Sequence, residues 1–138
     1  MFLLDTNVVS ELRKVRVKAN DKVIRWRLSV DSNALYLSSI TIHELEVGIL
    51  LLTRRNTVGA DALRDWLQNC IFPFYAGRII PVDSVIAQHS AALQVPRTRP
   101  WADAFIAATA LVHGMTVVTR NVSDFEPTGV AVLNPWLH

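Results

Sequence analysis

The chain alternates short apolar runs with longer stretches of helical character, and this alternation constrains its fold more than any other feature. The runs are Phe2-Leu3-Leu4, Leu35-Tyr36-Leu37, Ile79-Ile80-Pro81-Val82, Thr116-Val117-Val118 and Val130-Ala131-Val132-Leu133. They are Leu-rich or β-branched and do not alternate cleanly with polar residues, which is how strands covered on both faces read. Between them, Thr41 to Arg55 predicts the clearest helix, with Ile42, Leu45, Ile49 and Leu52 on one stripe. Asp61 to Cys70, Asp83 to Leu93 and Trp101 to His113 predict three more, and Val8 to Arg27 predicts two short ones. Asp83 suits an N-cap, Pro100 a first-turn position, and His113-Gly114 a left-handed C-terminal cap. The expected fold is α/β: a mostly parallel central sheet of about five strands, flanked by helices and joined by right-handed crossovers.

Composition narrows this further. A length of 138 residues fits one domain, residues 1–138, and 51% hydrophobic residues argue against a disordered chain. A single cysteine, Cys70, excludes an internal disulfide scaffold. The start Met1-Phe2-Leu3-Leu4-Asp5 lacks the basic and apolar regions of a signal peptide, and no run approaches the roughly 20 apolar residues that cross a bilayer. A soluble, cytoplasmic protein is expected.

Only 12 acids are present, so their positions carry information. Asp5 follows the first strand, Glu44 lies one turn into the helix after the second, and Asp124 lies in the loop after the fourth, shortly after Asn121. Asp103 falls in the first turn of the helix from Trp101. Ligands of open parallel sheets bind beyond the carboxyl ends of the strands, where connectivity places three of these residues and where Asp103 can join them. Each also has a local explanation. Asp5 could cap the helix beginning near Asn7, Glu44 could complete a capping box with Thr41, Asp103 could complement a helix dipole, and Asp124 could close a turn. Four unrelated caps, however, need not converge on one edge.

Gathered carboxylates repel one another unless a cation intervenes. All-oxygen donors select a hard ion, Mg²⁺ or Mn²⁺, and the histidines and Cys70 show no zinc-ligand spacing. The chemistry natural to such a site is phosphodiester hydrolysis by a water whose pKa the metal lowers. Gly48, one turn beyond Glu44, costs about 1 kcal/mol relative to alanine in a helix. Either a side chain there would obstruct the site, or the helix packs closely against a neighbour.

Four segments then resemble the four motifs of PIN domains, in order and across nearly the whole chain. They are Leu3-Leu4-Asp5-Thr6-Asn7, Ser38-Ser39-Ile40-Thr41-Ile42-His43-Glu44-Leu45, Asp103-Ala104-Phe105-Ile106-Ala107-Ala108-Thr109-Ala110 and Val118-Thr119-Arg120-Asn121-Val122-Ser123-Asp124-Phe125. In particular the chain is similar to VapC-type toxins. The runs Phe74-Tyr75-Ala76-Gly77-Arg78-Ile79 and Val132-Leu133-Asn134-Pro135-Trp136 resemble the FitB-like branch. The resemblance implies a PIN-like nuclease domain: a Mg²⁺- or Mn²⁺-dependent endoribonuclease acting as the toxin of a toxin–antitoxin pair. It also implies a homodimer, a cognate antitoxin, and operator DNA bound only indirectly through that antitoxin. Asp5, Glu44 and Asp103 match the family's core carboxylates. Many relatives carry Asp where this chain has Asn121, so the fourth position falls to Asn121 or Asp124 and a second metal is left open. Thr6 and Asn7 are expected to orient Asp5, and Thr119 to line the site.

The formal charge of +2 is quiet, but it is unevenly made. With those four acids set aside, eight remain against 14 basic residues. Arg13, Lys14, Arg16, Lys18, Lys22, Arg25 and Arg27 crowd one segment, and Arg54, Arg55, Arg97, Arg99 and Arg120 fall near the expected site. They could hold a phosphate backbone, form a solvated face or meet an acidic antitoxin segment. Trp101 could stack on a base, although packing is the commoner role, and His43 is expected to point away from the site. A phosphoacceptor receiver domain with Asp83 as acceptor is disfavoured, since Lys14, Lys18 and Lys22 are the only lysines and all are early. The remaining alternative is a PIN-fold binding module, or a FitB-like regulatory partner acting through an antitoxin–DNA complex with little nuclease activity.

Overall fold

The computed structural model describes every residue from Met1 to His138. Five short strands form one sheet: β1 (Phe2–Leu4), β2 (Leu35–Ser38), β3 (Ile79–Ile80), β4 (Thr116–Val118) and β5 (Val132–Leu133). Their order is β3-β2-β1-β4-β5, and every neighbouring pair is parallel. The helices are α1 (Thr6–Arg13), α2 (Asp21–Ser29), α3 (Ser39–Thr53), α4 (Thr57–Trp66), a single turn α5 (Phe72–Phe74), α6 (Ser84–Ala92), α7 (Trp101–His113) and α8 (Val122–Phe125). No helix is long and apolar enough to cross a membrane.

The central strand shows why the apolar runs do not alternate with polar residues. Successive side chains of a strand point to opposite faces. Leu3 joins Ile106, Ala107, Val117 and Phe125 in one core cluster, and Leu4 joins Val8, Trp26, Leu37 and Ile49 in the other. Both leucines are fully buried, so neither face of β1 has room for a polar residue. Ala104, Ala107, Ala108 and Ala110 are all buried, and these small side chains let α7 lie close to its neighbours.

The expected elements are present, with shifted ends. Val8 to Arg27 does hold two short helices, and Asp83 caps α6 by accepting from the Ile86 amide at 2.9 Å. Gly114 closes α7 in the left-handed conformation at φ 64°. Pro100 is the N-cap of α7 rather than a first-turn residue. The helix expected from Asp61 begins at Thr57, because Asn56 caps it by accepting from the Gly59 amide at 2.9 Å. It then runs on through a π turn at Leu67–Ile71. β3 and β5 pair over two residues each, shorter than their apolar runs. Asp124 stands in the first turn of α8 rather than in a loop.

The chain builds β1, β2 and β3 outward in one direction and then returns to place β4 on the other side of β1. The strand order therefore reverses between β1 and β4. In open α/β sheets the crevice beyond this reversal is where ligands bind.

Candidate active site

Asp5 leaves the carboxyl end of β1 at that reversal. Its amide donates to the Val118 carbonyl at 2.9 Å, which continues the ladder to β4. Its side chain is both a cap and a buried anion. Oδ1 accepts from the Thr6 amide at 2.8 Å, so the local role expected of it is real. Oδ2 accepts from the Thr119 hydroxyl at 2.7 Å and from Asn7 Nδ2 at 3.3 Å. Thr119 is fully buried and in turn accepts from the Asn121 amide at 3.0 Å. Asn7 Oδ1 accepts from the Arg120 amide at 3.3 Å, tying α1 to the segment after β4. Thr6, Asn7 and Thr119 thus surround Asp5.

Glu44 reaches the same place from α3. The capping box expected with Thr41 does not form, because the helix starts two residues earlier and Ser38 caps it, accepting from the Ile40 amide at 3.0 Å. Thr41 therefore sits inside the helix, and the Glu44 side chain is free to turn to α1. There its Oε1 accepts from the Thr6 hydroxyl at 2.7 Å, and Thr6 Oγ1 lies 3.3 Å from Thr41 Oγ1. Neighbouring threonines so connect Asp5 on one side to Glu44 on the other.

Asp103 approaches from the first turn of α7. Its pKa is pushed up to about 6, chiefly by burial and further by the negative charges of Asp5, Asp124 and Glu44. Asp5 is also raised: burial outweighs the hydrogen bonds from Thr119 and Thr6, and Glu44 and Asp124 add to the shift. The four acids therefore feel one another, as like charges in one pocket must. Asp124 is exposed, and its amide donates to the Asn121 carbonyl at 3.1 Å. Asn121 is exposed at the start of α8 and makes no capping bond with its side chain.

These donors are all oxygens, which suits Mg²⁺ or Mn²⁺ in kind. In number they also suffice, with Asp5, Glu44, Asp103 and Asp124 available. No three His, Cys, Asp or Glu side chains stand at the spacing that grips one ion, so the carboxylates would have to draw together around it. A cation would remove the repulsion that adds to burial in raising Asp5 and Asp103.

Not every charged residue belongs here. Glu11 is buried but accepts from Lys14 Nζ at 3.0 Å and the Asn20 amide at 3.1 Å, a structural role. Arg16 pairs with Asp21 and Arg64 with Glu46. Arg27 donates to Ser32 and stacks on Phe74, and Arg99 donates to the Leu93 carbonyl. Much of the basic crowding is therefore spent within the fold. Trp101 packs edge-on against His43 at 5.5 Å and Phe105 at 6.1 Å, yet keeps half its surface exposed.

Sequence reading missed Ser10 as a residue of this region. It follows Thr6 by four residues on α1, and Arg13 follows by seven, which places all three on one helical face. That spacing was the available signal. Gly48 is exposed, and a Cβ built on it would meet nothing within 4 Å. The packing explanation for this glycine is thereby removed.

The family model described as PIN domain matches residues 2–127. The chain is 40% identical to Toxin FitB of Neisseria gonorrhoeae over 99% of both chains. It is 36% identical to VapC ribonuclease Y4jK of Sinorhizobium fredii, covering 99% of this chain and 98% of that one. Among solved structures, a chain of FitAB bound to an IR36 DNA fragment superposes with a TM-score of 0.88 at 38% identity, over 99% of this chain and 96% of the other.

Proposed function

Because the chain belongs to the PIN domain family, we propose that it is a metal-dependent endoribonuclease acting as the toxin of a toxin–antitoxin pair. The observation that carries this reading is the meeting of Asp5, Glu44, Asp103 and Asp124 at the strand-order reversal. Burial, with the negative charges of Asp5, Asp124 and Glu44 adding to it, raises the pKa of Asp103 to about 6. A structural cluster would be paired with cations; this one has hydroxyl and amide donors around Asp5 and no ion pair.

Asp5, Glu44, Asp103 and Asp124 would hold Mg²⁺ or Mn²⁺. When bound, the ion supplies a lowered water pKa and charge neutralisation on the scissile phosphate. Thr119, Thr6 and Asn7 restrict the Asp5 carboxylate, which would lower the cost of drawing the acids together around a cation. Thr6 does the same for Glu44. Asn121, next to Thr119 through its amide, would orient substrate or water but brings no charge. Residues 1–138 act in this reading as one nuclease domain in the cytoplasm.

An antitoxin has a place to bind. A cavity of about 390 Å³ opens beside α1 and α2, with Leu12, Ile24, Leu28, Trp66 and Phe74 in its wall and Arg13 and Arg27 beside them. Apolar walls flanked by arginines suit a segment carrying both apolar and acidic side chains. A FitAB complex bound to a DNA fragment is among the similar structures, which supports a chain that reaches DNA as part of a complex; in this reading the antitoxin carries the operator contact. Val47, Leu50, Leu51 and Val58 leave an exposed apolar stretch on α3 and α4 that a second copy would cover, as a homodimer requires.

The test is cleavage of mixed RNA by the purified protein with Mg²⁺ or Mn²⁺. We expect cleavage that chelator abolishes and that Asp5→Asn abolishes with the circular dichroism spectrum unchanged. Cleavage that survives chelation, or that the variant retains in full, would overturn the assignment.

A further inference from the structure

A second groove begins at Glu44 and leads away from the carboxylates. It has a volume of about 380 Å³, within the range of small-ligand sites. Its two sides are stripes of facing helices. Thr6, Ser10 and Arg13 come from one face of α1, and Glu44, Gly48 and Leu52 from one face of α3. Arg55 stands just past the end of α3, and Leu63 and Trp66 of α4 add apolar surface.

The charges in this groove are unspent. Neither Arg13 nor Arg55 makes an ion pair, whereas Lys14, Arg16 and Arg64 do. The Arg13 guanidinium lies over the Trp66 ring at 5.8 Å, which holds it in place without neutralising it. Gly48 keeps the groove open midway: the space a Cβ would enter is empty, in a helix where glycine is otherwise disfavoured.

From this we propose that the groove is a nucleotide subsite: it seats the RNA residue next to the scissile phosphate, with Arg13 and Arg55 on backbone phosphates and the base against Leu52, Leu63 and Trp66. The proposal rests on the nuclease reading above. An RNA strand fits better than an acidic peptide here because Glu44, one of the carboxylates that would act on it, stands in the wall of the groove. Its polar and apolar walls also match the two halves of a nucleotide. Arg13 and Arg55 are positioning residues in this scheme, and Gly48 is a gap that the strand requires.

The experiment uses the inert Asp5→Asn protein with Mn²⁺ and a short fluorescein-labelled single-stranded RNA of mixed sequence, read by anisotropy at several salt concentrations. Added substitutions are Arg55→Ala, Gly48→Leu and Gly48→Ala. Arg55→Ala should weaken binding several-fold and reduce the slope of log affinity against log salt by about 0.7, the value for one phosphate contact on a single strand. Gly48→Leu should weaken binding at least tenfold while the Tm does not fall. Gly48→Ala, which adds only a Cβ, should weaken it far less. In the active protein, Gly48→Leu should raise KM more than it lowers kcat. Unchanged affinity in Gly48→Leu, or an unchanged salt slope in Arg55→Ala, overturns the subsite. So does the outcome in which both variants keep RNA affinity but lose a co-purifying acidic protein. If the wild-type protein cleaves no RNA, the nuclease reading itself has failed; if it cleaves and only the groove variants behave as wild type, the subsite alone has failed.

Discussion

Asp103 sets the expected pH behaviour. Its folded pKa of about 6 lies above its ordinary value of 3.8, so between those values the folded protein holds more protons than the unfolded chain. The associated stability is complete below the unfolded value and is lost as pH rises through about 6. At neutral pH the ionised Asp103 is thus a burden on the metal-free fold. The side chain is only partly buried, so solvent screening reduces the effect to about 1 kcal/mol. Asp103→Asn should therefore raise the Tm in chelator at pH 7.5 and flatten the fall in Tm between pH 4 and 7. Mn²⁺ should stabilise the wild type and leave this variant nearly unmoved. Thr119→Val removes the shortest bond to the Asp5 carboxylate and should cost about 1–3 kcal/mol in denaturant melts. It should also raise the Mn²⁺ concentration needed for half-maximal cleavage. Most of these acids were legible because strand ends fix where a following residue can stand. Glu44 was harder, since the spacing Thr41 to Glu44 imitates a capping box. Only the identity of the true cap, Ser38, decides against it, and Ser38 is also the last residue of β2.

At the scale of elements, the glycines of α3 and α4 separate two effects of the same substitution. Gly48→Ala gains helix propensity and meets open space, so it should stabilise by about 1 kcal/mol. At Gly59 an added Cβ would lie 2.7 Å from Asn56 Nδ2, so the N-cap must shift. The lost cap, about 1 kcal/mol, should offset the gain and leave the Tm nearly unchanged. Thermal melts of the two variants side by side check this. The helices and strands were legible from periodicity, but their ends were not. Asn56 begins α4 before any apolar stripe is visible, and the π turn at Leu67–Ile71 carries the segment past its expected end. The pairing of β5 covers only Val132 and Leu133, opposite Val117 and Val118; Ala131 adds just its carbonyl, which accepts from the Val117 amide at 2.9 Å, and Val130 lies before the strand.

Over the whole molecule, the +2 charge is a near-cancellation between an acidic crevice and a more basic remainder. Binding of single-stranded RNA should therefore weaken steeply with salt, while the fold itself should not. The α/β architecture followed from the alternation alone, because two buried faces leave an apolar strand no other arrangement. The two grooves were not legible, since each is made by helices distant in sequence. Arg13 and Trp66 belong to the wall of both, the apolar cavity on one side and the groove from Glu44 on the other. A chain seated in the cavity that turns the Arg13 guanidinium toward its own carboxylates takes one cation away from the RNA. By linkage, bound RNA must then loosen that chain by the same factor. Inhibition achieved in this way would be graded and reversible and would leave the carboxylates uncovered: a dimmer on the substrate's grip rather than a plug in the site.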